Sequence, residues 1–170
     1  MIQKTIRLSL SLLLACIVGL SLNSCVDAEE GESWDDYEFR NAINCGKLTS
    51  WHIILIKDEN GKWLNDYQGE NTIVSFDVQF FSKDHNFHST KFYWTQNEKG
   101  EWIGDDATRE EYKPADNTAF TLDSKALTIE GTVGGEKYFR ISLDKKVDGA
   151  MEGKLHFYRE NKTFEVKMVR

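Results

Sequence analysis

The chain has 170 residues, 28 acidic against 21 basic side chains, a net charge of −7, 12% aromatic residues and a single proline. That length makes one domain able to bury its own core, and the aromatic content is too high for a disordered chain. The acidic balance excludes nucleic acid as a partner, because a phosphate backbone needs a basic patch.

Residues 1–24 read as a targeting segment. Lys4 and Arg7 form a positive start, and the apolar stretch from Leu8 to Leu22 is too short to span a bilayer comfortably. Leu22-Asn23-Ser24-Cys25 then resembles the lipobox of bacterial lipoproteins. The resemblance implies cleavage before Cys25 and acylation of that residue, which gives a lasting membrane anchor. Leu13-Leu14-Ala15-Cys16 competes with it, but would leave Ile17 to Leu22 as an apolar tail behind the anchor. The plainer reading is a cleaved secretory signal with Cys25 as an ordinary thiol. Loss of residues 1–24 removes two basic and no acidic side chains, so the mature chain carries −9.

Asp27, Glu29, Glu30 and Glu32 crowd behind Cys25. Such an acidic tether resembles the export signal that sends lipoproteins of gut Gram-negative bacteria to the outer face of the outer membrane; otherwise it is a solvated spacer. With Cys16 removed and Cys25 acylated, Cys45 stands alone, so no intramolecular disulfide is available. It reads as a small buried hydrophobe rather than a nucleophile.

Ser33 to Asn44 predicts a short helix, capped by Ser33 with Asp36 in the capping-box position and stopped by Gly46. Trp51 to Lys57 is a near-continuous apolar run, as in a strand buried on both faces, and Asn60-Gly61 is a hairpin signal. From Thr72 to Phe81 the pattern alternates, with Val74, Phe76, Val78 and Phe80 on one face. Phe87 to Thr95 returns with Phe92 and Trp94 assigned to the inner face, and Glu101 to Gly104 is a short strand carrying Trp102. Asp105 to Asn117 is irregular: a loop, or a helical turn at Thr108 to Tyr112. Ala119 to Leu122 pairs briefly. Then Leu127, Ile129 and Val133 alternate, Gly134-Gly135 turns, and Phe139, Ile141 and Leu143 follow. Met151, Leu155 and Phe157, then Phe164, Val166 and Met168, complete the series. The expected fold is all-β: an antiparallel up-and-down barrel of about eight strands with a short N-terminal helix.

Taken together, the chain resembles the lipocalin-like lipoproteins of gut Gram-negative bacteria. The resemblance rests on the lipobox, the short helix, Leu48-Thr49-Ser50-Trp51 opening the first strand, Asn60-Gly61-Lys62-Trp63 after it, and the hairpins running to Lys167-Met168-Val169-Arg170. In lipocalins a Gly-x-Trp motif opens the first strand, and its tryptophan plugs one barrel end and stacks on a late arginine. Trp51 matches; Thr49 stands where glycine is expected, and Arg140, Arg159 and Arg170 are all candidate partners. The implied organisation is a signal peptide over 1–24, a lipidated tether and helix over 25–45 and a lipocalin-like barrel over 46–170. The implied location is the outer membrane, lipid-anchored, facing the cell surface.

Trp51, Phe76, Val78, Phe80, Phe92, Trp94, Ile129, Phe139, Ile141, Leu155 and Phe157 either line a ligand cavity or fill the interior themselves. The expected function is binding of a small apolar or amphipathic molecule in the barrel or at its mouth, without catalysis and without cofactor or metal. No nucleophile elbow, HExxH pattern, phosphate loop or dinucleotide fingerprint is present. His85 and His88 with Asp84 lack a third ligand and read as surface histidines. Trp63, Trp94 and Trp102, with Tyr67, Tyr93 and Tyr112, support a second reading, a glycan-binding surface. A protein–protein interaction module with a filled barrel is the third.

Overall fold

A computed structural model describes residues 27–46 and 48–170. The expected signal peptide and the anchor at Cys25 lie outside the described residues. Helix α1 (Trp34–Ile43) precedes eleven strands: β1 (Trp51–Lys57), β2 (Trp63–Asn65), β3 (Val74–Phe81), β4 (Asn86–Gln96), β5 (Trp102–Gly104), β6 (Glu110–Tyr112), β7 (Thr118–Asp123), β8 (Thr128–Val133), β9 (Glu136–Leu143), β10 (Ala150–Phe157) and β11 (Lys162–Val169). The fold is all-β and antiparallel. Among the described residues no helix is long and apolar enough to cross a membrane.

The strands form one sheet in the order β5-β4-β3-β1-β11-β10-β9-β8-β7, with β2 on β1 and β6 on β4. This corrects the expectation of a closed barrel of about eight strands, because the ladder path ends at β5 and β7. The surplus is in β2, β5 and β6, three-residue pieces riding on longer neighbours. Where a loop or a helical turn at 108–112 is expected, the chain forms β6, since Glu110, Glu111 and Tyr112 pair with Lys91, Thr90 and Ser89 of β4. Beyond the ladder, β7 comes alongside β4. Phe87 N–H donates to Thr118 Oγ1 at 3.2 Å, that hydroxyl donates to Phe87 O at 2.6 Å, and Phe120 N–H donates to His85 O at 2.9 Å.

Alternation supplies the core. Val74, Phe76, Val78 and Phe80 of β3 are buried, as are Ile129, Phe139, Ile141, Leu155 and Phe157. Phe76 meets Phe139 and Phe157 edge to face at 5.4 and 5.2 Å, and Phe139 meets Phe87 at 5.2 Å. Each such pair adds about 0.5–1.5 kcal/mol beyond its buried area. The apolar run in β1 has a different cause from burial on both faces. A register shift between Ile53 and Leu55 against β11 changes the phase, so Trp51 and Ile53 point inward before it and Ile56 after it. In β10, Gly153 has φ +155°, and a Cβ there would lie 2.1 Å from Ser142 O, so only glycine fits against β9.

The two ends of the sheet differ. At one, α1 packs Phe39 and Ile43 into the core beside the turns at 82–85, 123–127 and 144–149. Ser33 caps the helix by accepting from Asp36 N–H at 3.2 Å, and the Asp36 carboxylate takes the Ser33 hydroxyl, not its amide as in a capping box. Trp51 closes this end: its indole N–H donates to Ile43 O at 2.9 Å, and the Arg170 guanidinium lies over its ring at 4.9 Å. The opposite end carries the turns at 58–62, 134–135 and 158–161, and among the described residues no α-helix lies over it.

Candidate functional site

The uncovered end is built by strand endings. Lys57 closes β1, Leu64 lies on β2, Ile73 precedes β3, Trp102 opens β5 and Phe164 lies early on β11. Between them is a cleft of about 690 Å³. Its floor is Leu64, Ile73 and Phe164, partly buried and packed on the core, and Trp102, 48% exposed, forms one wall. Asp58, Glu59, Glu70 and Glu165 stand round the rim against one cation, Lys57. Lys57 is itself committed: it donates to Glu165 at 2.5 Å and lies over Trp63 at 5.1 Å. That contact holds the Glu165 carboxyl below its ordinary range. Asp58 fixes its own turn by accepting the Asn60 and Lys62 amides at 2.9 and 2.8 Å. The rim is therefore net negative and rich in hydrogen-bond acceptors, with Asn60, Thr72 and Thr163 adding groups that can also donate.

A second feature lies beneath this end, on the inner face. Register with β3 sets which side chains of β4 point inward: Lys91 pairs with Phe76, Ser89 with Val78 and Phe87 with Phe80. The Lys91 side chain is fully buried, its ammonium 4.7 Å from the Phe157 ring centre, 5.5 Å from Tyr93 and 5.6 Å from Tyr138. It pairs with Glu110 at 2.9 Å and with Glu160, and Arg159 reaches Glu110 at 2.6 Å from outside. The Tyr138 phenol faces Ser89 and Glu110 without a close hydrogen bond to either, and burial pushes its pKa well up, so it stays a neutral donor. This group locks β4, β6 and the β10–β11 turn together.

Among the residues expected to bind, Phe76, Val78, Phe80, Ile129, Phe139, Ile141, Leu155 and Phe157 gather on the inner face and pack on one another; none lines the cleft. Trp51 is at the helix-covered end. Phe92 and Trp94 are not on the inner face: Phe92 pairs with Ser75 on the outer side, against Trp94 at 5.4 Å, the Arg109 guanidinium at 4.5 Å and the bare Cα of Gly104. The aromatic set proposed for glycans is dispersed. Trp102 lines the cleft, Trp63 borders a separate depression with Leu55 and Glu152, Tyr67 sits against His52, and Tyr93 and Tyr112 turn inward beside Lys91 and Tyr138.

The histidines enter polar pairs: His85 with Glu29 at 2.6 Å, His88 with Glu111 at 3.2 Å and His156 with Thr163 at 2.8 Å. Cys45 is buried, and that burial raises its thiol pKa. Sequence reading missed Lys91 and the cleft floor. A signal for Lys91 existed, since Phe87, Lys91 and Tyr93 share one parity of β4, but Phe92 and Trp94 occupy the other with equal apolar weight. No family model, curated protein or solved structure matches the chain.

Proposed function

We propose that the chain is a lipid-anchored, lipocalin-like protein of the bacterial outer membrane, its sheet curled into a barrel whose ladder stays open between β4 and β7, that binds a small amphipathic molecule at its uncovered end, without catalysis. The observation that carries this reading is the cleft: an apolar floor continuous with the core, one exposed indole and a ring of carboxylates. The packed inner face supports binding at the mouth over binding inside. For the barrel, support comes from the long strands following one another in chain order, from β11 returning to β1, and from the hydrogen bonds that β7 sends to Phe87 and His85. Arg170 over Trp51 is the arrangement that the lipocalin resemblance implies. Acylation of Cys25 rests on the lipobox-like sequence before it.

The rim defines the headgroup. Carboxylates accept but do not donate, so a ligand presenting hydroxyls or an amine is matched, whereas a carboxylate or sulfate head meets like charge. A chain starting at Val26, titrated with dodecyl maltoside below its micelle concentration, is expected to give a saturable change in tryptophan fluorescence. Trp102→Ala removes most of that change, and laurate does not compete. Absence of saturable binding by any amphiphile would end the reading.

A glycan-binding surface is the second reading, and only Trp102 favours it: a half-exposed indole beside acceptors for sugar hydroxyls. Free maltose competing as well as the alkyl maltoside would select it.

A further inference from the structure

The acidic stretch behind Cys25 is not a free spacer. Arg40 of α1 is 1% exposed, yet it is charged, and that stretch takes the hydrogen bonds of its Nε and Nη2 while Nη1 makes none among the described residues. Its Nε donates to Glu32 Oε1 at 2.7 Å, and its Nη2 donates to Glu32 Oε2 at 2.6 Å and to Asp27 O at 2.8 Å. Glu29 stands 3.5 Å from Nη1 and joins His85 at 2.6 Å. A buried guanidinium with a bidentate carboxylate is a geometrically specific fastening, and breaking it strands a charge. The segment from Asp27 to Glu32 is thus bolted to the helix-covered end.

Cys25 precedes Asp27 by two residues, which a chain can stretch to at most about 7 Å. Left free, the eight residues from Cys25 to Ser33 would wander over roughly 16 Å and let the domain tumble on its anchor. We propose that the Arg40 clamp seats the helix-covered end against the membrane that holds the acyl chains and turns the cleft away from it. The ligand then comes from the aqueous side and not from the anchoring bilayer. This rests on acylation of Cys25 and on the cleft as binding site. β1 alone carries the backbone roughly 20 Å from Trp51 beside α1 to Lys57 at the cleft. Two exposed apolar side chains stand at the helix-covered end, Trp34 at 69% and Leu48 at 94%. Trp34 donates its indole N–H to Glu38 at 2.8 Å and is flanked by the Asp35–Lys146 pair, polar groups that hold such a contact at headgroup level and oppose deeper insertion.

The test uses the full-length lipidated protein in phosphatidylethanolamine–phosphatidylglycerol vesicles carrying a headgroup-level nitroxide quencher. A dye is placed at Lys125→Cys, in the β7–β8 turn beside α1, or at Asn60→Cys, at the cleft. The proposal expects several-fold stronger quenching at residue 125, and at residue 60 no more than in a soluble control. A flexible eight-residue insertion between Cys25 and Val26 is expected to bring the two sites close to equal without touching the fold. Equal quenching at both sites in the uninterrupted chain overturns the orientation while leaving acylation and binding intact. A chain that does not partition into vesicles removes the anchor reading, and the orientation falls with it. Ligand binding lost from the soluble chain removes the cleft reading instead.

Discussion

At the scale of single residues, Lys91 decides how the inner face is organised. Its ammonium has three aromatic faces and two carboxylates around it, so the charge is matched although it is fully buried. Removing one partner from such a group costs far more than the group contributes. Lys91→Met is expected to destabilise the domain by about 3 kcal/mol, the lower end for buried pairs because Glu110 and Glu160 reach some water. Lys91→Met combined with Glu110→Gln and Glu160→Gln is expected to recover most of that loss. Urea denaturation midpoints measure both. A single mutant as stable as the wild type would mean that Lys91 does not hold β4, β6 and the β10–β11 turn together. This residue was illegible in the sequence for a physical reason. Both parities of β4 carry aromatics with equal apolar weight, so the pattern alone does not choose between them, and register with Phe76 and Phe80 selects the parity of Lys91.

At the scale of elements, the helix and the segment before it form one capping unit. Hydrogen bonds from Arg40 hold the Glu32 carboxyl below its ordinary pKa of 4.5, against the opposing effects of its burial and of Asp36. A depressed pKa means that docking of this segment contributes stability above about pH 4.5 and loses it as pH falls through the lowered value. Protection factors at residues 29–32, which correct exchange for its intrinsic pH dependence, are therefore expected to fall as pH drops through the lowered Glu32 pKa while those of β9 and β10 amides hold. Equal protection down to pH 3 would show that the Arg40–Glu32 pair does not hold the segment. Most elements were legible: the capped helix, the alternation of β3 and the glycine-turned hairpin between β8 and β9 follow from local chemistry. The phase change in β1 was not, because an unbroken apolar run looks the same whether a strand is covered on both sides or bulged. Nor was β6, whose Glu-Glu-Tyr sequence has strand propensity only at Tyr112 and which gains the Glu110–Lys91 pair across the ladder.

At the scale of the whole molecule, a meander of long strands brings β11 back to β1 and leaves the ladder open between β4 and β7. One end is covered by α1, Trp51 and Arg170, and the other ends in the acceptor-rimmed cleft. Sequence reading anticipated an inner face of large side chains that would either fill the interior or line a cavity; they pack on one another, and the cleft lies at the rim. Pattern gives the direction of a side chain, and not the space left between side chains that share a direction. The account therefore stands on where an amphipathic molecule sits. The direct measurement is a two-dimensional amide NMR titration of the soluble chain with dodecyl maltoside below its micelle concentration. The amides of Ile73, Trp102 and Phe164 are expected to shift saturably together while those of Phe76, Ile129 and Phe139 stay in place. Shifts centred on the inner-face residues, or no saturable shift, would contradict it.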